Sequence, residues 1–279
     1  MLATVGKQRR LSRLINPQTG RGFCIAFDHA LQLGPAPGLT HPAETLRMMA
    51  EAGVDAVILP LGSAMHFGRE LAAKRGPALI LRLDQTTMWR EGSPLAYRDG
   101  HTRLIASVED AVALGAEAVI TYLFVAPNDP ALETRSFEDC AKVNEAARRY
   151  GILHIIETMG ARNALAKDVF DPDFVAFHAR IGIEMGADIV KTDWPGSAEG
   201  LRPVTESSPV PVLIAGGSSR GSDIGVLELV AEVMAGGAAG ILFGRTIFQA
   251  KNPPAVMRGC RLIIHDGLSA AQAARSVGL

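Results

Sequence analysis

The sequence has only three cysteines, Cys24, Cys140 and Cys260, and they stand far apart with no paired spacing. That excludes a disulfide framework and a CxxC-type zinc site, and it implies a reducing compartment. There is no excess of either charge: 28 Lys and Arg stand against 29 Asp and Glu, a formal net charge of −1. A nucleic-acid partner or a membrane surface would want a basic face, so neither is expected. No apolar run reaches the roughly 18 residues of a membrane span. The opening stretch MLATVGKQRRLSRLIN is basic but has no apolar segment behind it, so no signal peptide is read and a cytoplasmic location is expected. His66, His101, His154, His178 and His265 show no ligand spacing, so no metal is assigned. Low-complexity segments and linkers are missing too. The chain therefore reads as a single domain, 1–279, with residues 1–20 as an N-terminal helical extension.

What is present is a rhythm. With 48% hydrophobic residues in 279, the chain has ample material for a large core. Short runs rich in Ile, Val and Leu occur at 22–28, 55–62, 78–84, 117–124, 153–159, 188–194, 210–217 and 240–245. Runs of that length and composition are what strands buried on both faces look like. Between them lie amphipathic stretches such as SFEDCAKVNEAARRYG and DPDFVAFHARIGIEMG, several opening on Ser or Asp and closing on Gly, as helices do. A glycine-alanine step into an apolar strand recurs in AGVDAVIL, LGAEAVIT, MGADIVKT and GGAAGILF. Eight strand-helix units in one chain of this length predict an α/β fold of parallel strands, a (β/α)8 TIM barrel. An open doubly wound sheet would carry GxGxxG after its first strand, and FDHALQLGPAPG does not supply it. The connection between the second and third runs, SAMHFGRELAAKRGP, is short for a helix.

In such a barrel the chemistry gathers where the strands end. The polar residues there are Asp28 and His29, Asp84 and Gln85, Glu157, Lys191 and Asp193, then Gly216, Gly217, Ser218 and Ser219, and finally Gly244 and Arg245. Strand side chains alternate, so Lys191 and Asp193 point one way and Thr192 the other. A lysine among carboxylates could be a buried ion-pair cluster, but such clusters stabilise weakly because desolvation offsets the attraction. The functional reading is a nucleophile. Ordinary lysine titrates near ~10.4; burial favours the neutral amine, and neighbouring acids oppose that. A neutral amine attacks a carbonyl to form an imine, and carboxylates shuttle the protons. Simple anion binding is the other use for Lys191. Glu157 is read as acid/base, against ion pairing with Lys191 or Arg82; Asp28, His29 and Asp193 complete the catalytic candidates. The glycines of AGGSS and FGR, with Arg245, fit a phosphate: exposed N–H groups approach closely and the guanidinium adds a charge-assisted pair.

FDHALQLGP, ADIVKT, IAGGSS and FGRTIFQ together resemble the class I aldolases of the archaeal fructose-bisphosphate aldolase type, the DeoC/FbaB/LacD group. The resemblance covers nearly the whole chain. It implies a Schiff base on Lys191, a role for Asp28 in proton transfer or in orienting the lysine, and a phosphate cradle at Gly216, Gly217, Gly244 and Arg245. It also implies no metal or other cofactor, a small phosphorylated keto substrate with an aldehyde partner, and a ring-based homo-oligomer, a decamer being one such form. The chain departs from the family at the fifth strand. ETMGARN places Met159 where the archaeal enzymes carry a proton-donating tyrosine. Glu157 then stands in, as a strand-five glutamate does in tagatose-bisphosphate and sulfosugar aldolases. MGARNALAKD and IGIEMGADIVKT are similar to the member that degrades phosphorylated autoinducer-2, so thiolase-like acetyl transfer to coenzyme A is an alternative. A non-catalytic phosphosugar-binding barrel is the second alternative. Tyr122 and Trp194 read as packing residues.

Overall fold

The computed structural model describes residues 2–73, 76–90, 101–161, 166–216 and 221–279. Each apolar run holds one strand: Gly22–Ala26, Ala56–Pro60, Ala78–Arg82, Ala118–Val125, Leu153–Gly160, Ile189–Thr192, Val212–Ala215 and Gly240–Phe243. All eight are parallel, and they close into a barrel in chain order, the eighth pairing with the first. The expected (β/α)8 barrel is the fold. The sixth and seventh strands stop short of their apolar runs, leaving Asp193 and Gly216 just beyond the last paired residues.

Alternation sorts each strand into two cores. Outward side chains such as Phe23, Ile25, Val57, Leu81, Ile156 and Val190 pack under the helices. Inward ones, among them Cys24, Ile58, Ile80, Ile120, Ile155, Ile189, Leu213 and Leu242, fill the barrel itself. The helix Leu2–Leu14 stoppers its lower end: Leu14 and Ile15 join the inner core, and Lys7 is tied to Asp188 at 2.7 Å. Closure there depends on glycine. Gly240 pairs with Gly22 at a φ of 149°, and a Cβ on it would lie 1.9 Å from the Gly22 carbonyl oxygen.

DPDFVAFHARIGIEMG opens its helix on Asp171 as expected, whereas the helix that holds SFEDCAKVNEAARRYG begins six residues before that Ser, at Pro130. Asp129 caps Pro130–Tyr150, Asp171 caps Pro172–Glu184 and Ser222 caps Asp223–Ala235, each accepting from a first-turn N–H, and Gly151 ends the first of these in the left-handed conformation. The tight connection between the second and third strands holds a short helix, Leu61–Phe67, and one 3-10 turn, Gly68–Leu71. After the third strand the chain adds an antiparallel ribbon over the barrel mouth, pairing Asp84–Thr86 with Thr102–Leu104.

Two histidines lie fully buried between strands and helices. The His154 ring takes Thr121 Oγ1 and Asn144 Oδ1, both at 2.8 Å; His178 meets Thr158 Oγ1 at 3.1 Å. Burial pushes their imidazoles down, to about 3 and about 4. Below the ordinary value near 6.5 the unfolded chain therefore takes up protons that the folded one refuses. Stability is whole above that pH and is lost as pH falls, by about 2 kcal/mol per histidine at pH 5. His154→Gln is expected to lose its share of this slope. Urea denaturation of wild type and variant at pH 7 and pH 5 checks it: the stability gap between the two proteins narrows toward pH 5.

Candidate active site

Above the apolar layers of the barrel interior comes a layer of charge. On the third strand the inward series Ala78, Ile80 continues to Arg82; on the fourth Ala118, Ile120 to Tyr122; on the fifth Leu153, Ile155 to Glu157; on the sixth Ile189 to Lys191. Register aligns Tyr122 with Glu157 and Glu157 with Lys191, so the three stand side by side on adjacent strands. Asp28 enters the same layer from just past the first strand. The outward neighbours behave as alternation requires: Thr158 and Thr192 both reach His178 on the helix behind them.

The contacts are close. Lys191 Nζ lies 2.5 Å from Glu157 Oε1, and Lys191 is only 4% exposed. Arg82, 1% exposed, spends its whole guanidinium on acids. Its Nε donates to Asp28 Oδ2 at 2.7 Å, one terminal nitrogen to Asp84 Oδ1 at 3.2 Å and the other to Glu157 Oε2. The guanidinium carbon sits 4.0 Å from the centre of the Tyr122 ring, which is itself stacked on Phe124. Asp84 Oδ2 accepts the Tyr122 backbone N–H at 2.7 Å. His29 Nδ1 is 3.5 Å from Asp28 Oδ1.

Electrostatics separates the three acids. Burial alone would raise all of them. For Glu157 the charges of Lys191 and Arg82 overcome it and hold the carboxyl below its usual range. For Asp28, Arg82 does the same, helped by His29 and Lys191. Asp84 meets Arg82 at longer range, and burial pushes it up to about 7. Burial also pushes His29 down to about 4 against the pull of Asp28, so that imidazole is neutral at neutral pH. Burial keeps the Tyr122 phenol protonated, well above the ordinary tyrosine value. Among the described residues no group of three or more metal-ligating side chains is arranged around a cation site. The acids that converge here are held by the guanidinium.

The structure thus brings Lys191, Glu157 and Asp28 into one network through Arg82. Asp193 is buried one residue past the sixth strand. His29 lies at the edge of the network and is in contact with the eighth strand: a Cβ on Gly244 would stand 2.3 Å from its Cε1 atom. The same Cβ would meet the Ala26 carbonyl oxygen at 2.9 Å, so the His29 ring and the end of the first strand together hold position 244 to glycine. Gly216 follows the seventh strand, its carbonyl accepting from Thr246 Oγ1 at 3.3 Å. Arg245, itself exposed, opens the short helix Arg245–Phe248, whose other three residues are buried. Gly217 and Ser218 lie outside the described residues. Arg82 and Asp84 are what sequence reasoning undervalued. The signal was there: ALILRLD repeats the pattern of ADIVKTD, an apolar strand ending in a cation with an acid two residues on.

Asp84 yields a prediction. Its folded-state value is raised, so the folded chain holds a proton that the unfolded chain gives up from about pH 4 upward, and stability falls as pH rises toward 7. Asp84→Asn removes that loss. Relative to wild type, the variant is expected to gain about 3 kcal/mol between pH 5 and pH 8. Urea denaturation at the two pH values measures it.

Several known proteins are similar to this chain in sequence or in fold. A sequence profile described as DeoC/LacD family aldolase matches residues 23–250. An uncharacterised aldolase of Saccharolobus solfataricus is 29% identical over 96% of this chain and 98% of its own length. A 2-amino-4,5-dihydroxy-6-oxo-7-(phosphonooxy)heptanoate synthase of Streptomyces griseus is 30% identical over 95% of this chain and 92% of its own. A solved Schiff-base-forming fructose-1,6-bisphosphate aldolase superposes with a TM-score of 0.80 at 26% identity, covering 93% of this chain and all 100% of that one.

Proposed function

We propose, from the premise that this chain belongs to the DeoC/LacD family of aldolases, that Lys191 is the residue through which it works. The protein is a class I aldolase, a carbon–carbon lyase that forms a lysine Schiff base with a phosphorylated keto substrate and makes or breaks a carbon–carbon bond. Thiolase-like acetyl transfer to coenzyme A and a non-catalytic phosphosugar barrel are not favoured.

The observation that carries the assignment is the 2.5 Å contact between Lys191 Nζ and Glu157 Oε1 at the mouth of the barrel. An ion pair so close exchanges its proton without solvent. With the proton on Glu157, the amine is free to attack the ketone carbon. Glu157 then protonates the carbinolamine hydroxyl, which leaves as water, and the positive iminium remains. Restored as a carboxylate, Glu157 takes the proton from the substrate hydroxyl on the far carbon of the bond to be broken, which becomes the aldehyde carbonyl. That bond's electrons flow into the iminium, leaving an enamine on Lys191 and releasing an aldehyde. The same carboxyl then gives its proton to the enamine carbon, and water hydrolyses the imine. One acid cycling in this way makes up for Met159, where the archaeal enzymes carry tyrosine. Asp28 orients the layer through Arg82, with His29 and Asp193 at its margin.

The relatives narrow the substrate in this reading. Fructose 1,6-bisphosphate and the 6-oxo-7-(phosphonooxy) product share a carbonyl beside a phosphorylated methylene. A donor of the dihydroxyacetone phosphate kind, joined to an aldehyde, satisfies both. Gly216, Gly217, Ser218, Gly244 and Arg245 are our candidates for its phosphate. A cytoplasmic homo-oligomer, ring-based and up to a decamer, completes the proposal; no helix among the described residues is long and apolar enough to cross a membrane.

Incubation with dihydroxyacetone phosphate, then borohydride and peptide mass spectrometry, is expected to place a stable adduct on Lys191. Lys191→Ala should trap nothing. Glu157→Gln should slow turnover by about 10²–10⁴-fold, the ordinary share of general acid–base catalysis. A wild-type enzyme that traps elsewhere, or a Lys191→Ala enzyme that turns over, sinks the assignment.

A further inference from the structure

We infer that Arg82 is a positioning residue for the aldolase reaction: its guanidinium holds one oxygen of Glu157 so that the other is the only one offered to Lys191, and it locks Asp28 to the same frame. The inference rests on the reading of Lys191 and Glu157 given above.

A carboxylate has two equivalent oxygens and rotates freely unless both are engaged. In Glu157 they are divided. Oε2 accepts from Arg82, and Oε1 faces Lys191 Nζ at 2.5 Å. Rotation that brought Oε2 to the lysine would break a charge-assisted bond inside a dry layer, where such bonds are strongest. The proton's route between lysine and substrate is thereby confined to one atom. The clamp does not come from an adjacent strand. Arg82 stands on the third strand and Glu157 on the fifth, with the fourth between them. The side chain spans that gap across Tyr122, whose ring lies 4.0 Å beneath the guanidinium. The same planar fork reaches Asp28 through Nε at 2.7 Å, so the first and fifth strands are set against each other by one rigid group.

Two features argue against a clamp that only holds the barrel shut. The layers below are filled by apolar side chains from all eight strands, a packed interior in which Arg82 takes no part. A permanent cation here also holds Glu157 below its usual carboxyl range, which matters to a group that must give up and retake a proton at each step. Lysine would keep the charge but lack the fork. A single ammonium has no planar set of donors with which to engage Asp28, Asp84 and Glu157 together, so Arg82→Lys is the discriminating change.

The assay uses dihydroxyacetone phosphate as probe and follows solvent deuterium exchange at its α-carbon by NMR, which needs the imine and the enamine but no aldehyde. Arg82→Lys is expected to lower the exchange rate at least thirtyfold while the half-saturating concentration stays within threefold. The acidic limb of the rate–pH profile should move to higher pH, further in Arg82→Gln than in Arg82→Lys. In a Glu157→Gln background Arg82→Lys should cost less than a further threefold, because a residue acting through Glu157 has nothing left to position. If the arginine variants do not fold, Tyr122→Leu takes away only the ring that supports the guanidinium, and a smaller fall with the same direction of pH shift is expected. A wild-type rate and pH profile in folded Arg82→Lys, or in Tyr122→Leu when the arginine variants do not fold, overturns the inference. So does a loss that multiplies with that of Glu157→Gln. Wild-type enzyme with no trapped adduct on Lys191 overturns the parent reading instead, and the inference falls with it.

Discussion

The guanidinium of Arg82 touches acids from three parts of the chain, and the polar layer at the barrel mouth depends on those contacts. Each charge buried here has left water at a cost of several kcal/mol, which only a close partner offsets. Lysine alone could not hold three carboxylates. With Arg82 in place, Glu157 and Asp28 stay ionised, Lys191 meets one defined oxygen, and the surplus negative charge falls on Asp84, whose carboxyl alone is raised toward neutrality. Burial and pairing thus divide three chemically similar acids into different states.

The barrel makes this arrangement affordable by confining it. Beneath the charges the interior is filled with Cys, Ala, Ile and Leu, and the end of the N-terminal helix shuts the bottom. Above that stack the interior turns polar at Arg82, Tyr122, Glu157 and Lys191, on the third to sixth strands, and at Asp28 just past the first. A lysine placed two residues earlier on the sixth strand would replace Ile189 and sit within the apolar layer. The site is therefore a boundary phenomenon, located where a dry stack of side chains gives way to the loops.

Much of this was readable from the residues. The eight apolar runs, the Ser and Asp caps and the alternation that separates Lys191 from Thr192 all follow from local chemistry, and local chemistry is written along the chain. The short connection after the second strand looked poor for a helix and still holds Leu61–Phe67, because one compact turn suffices to reach the adjacent strand. Pairings were not readable. Glu157 could have taken Lys191 or Arg82 as its partner, and it takes both, one on each oxygen. That outcome depends on strand stagger and on Tyr122 lying between the third and fifth strands, which no spacing encodes. The weight of Arg82 went unseen for the same reason, although RLD and KTD share one pattern. At Gly244 a phosphate turn explained the glycine from sequence, and the structure adds a second reason in the ring of His29.

That contact has a consequence for descent and design. Loops at a barrel mouth are commonly treated as exchangeable modules, each free to vary with the ligand it serves. Here the first and eighth are geared together. With His29 lying where a side chain at position 244 would begin, the two positions form a single locus split across the full length of the chain. A larger residue at 244 meets the backbone carbonyl of Ala26 at 2.9 Å as well as the His29 ring, so shrinking residue 29 alone does not free the position, and a graft of the eighth loop must bring its fit to the end of the first strand with it.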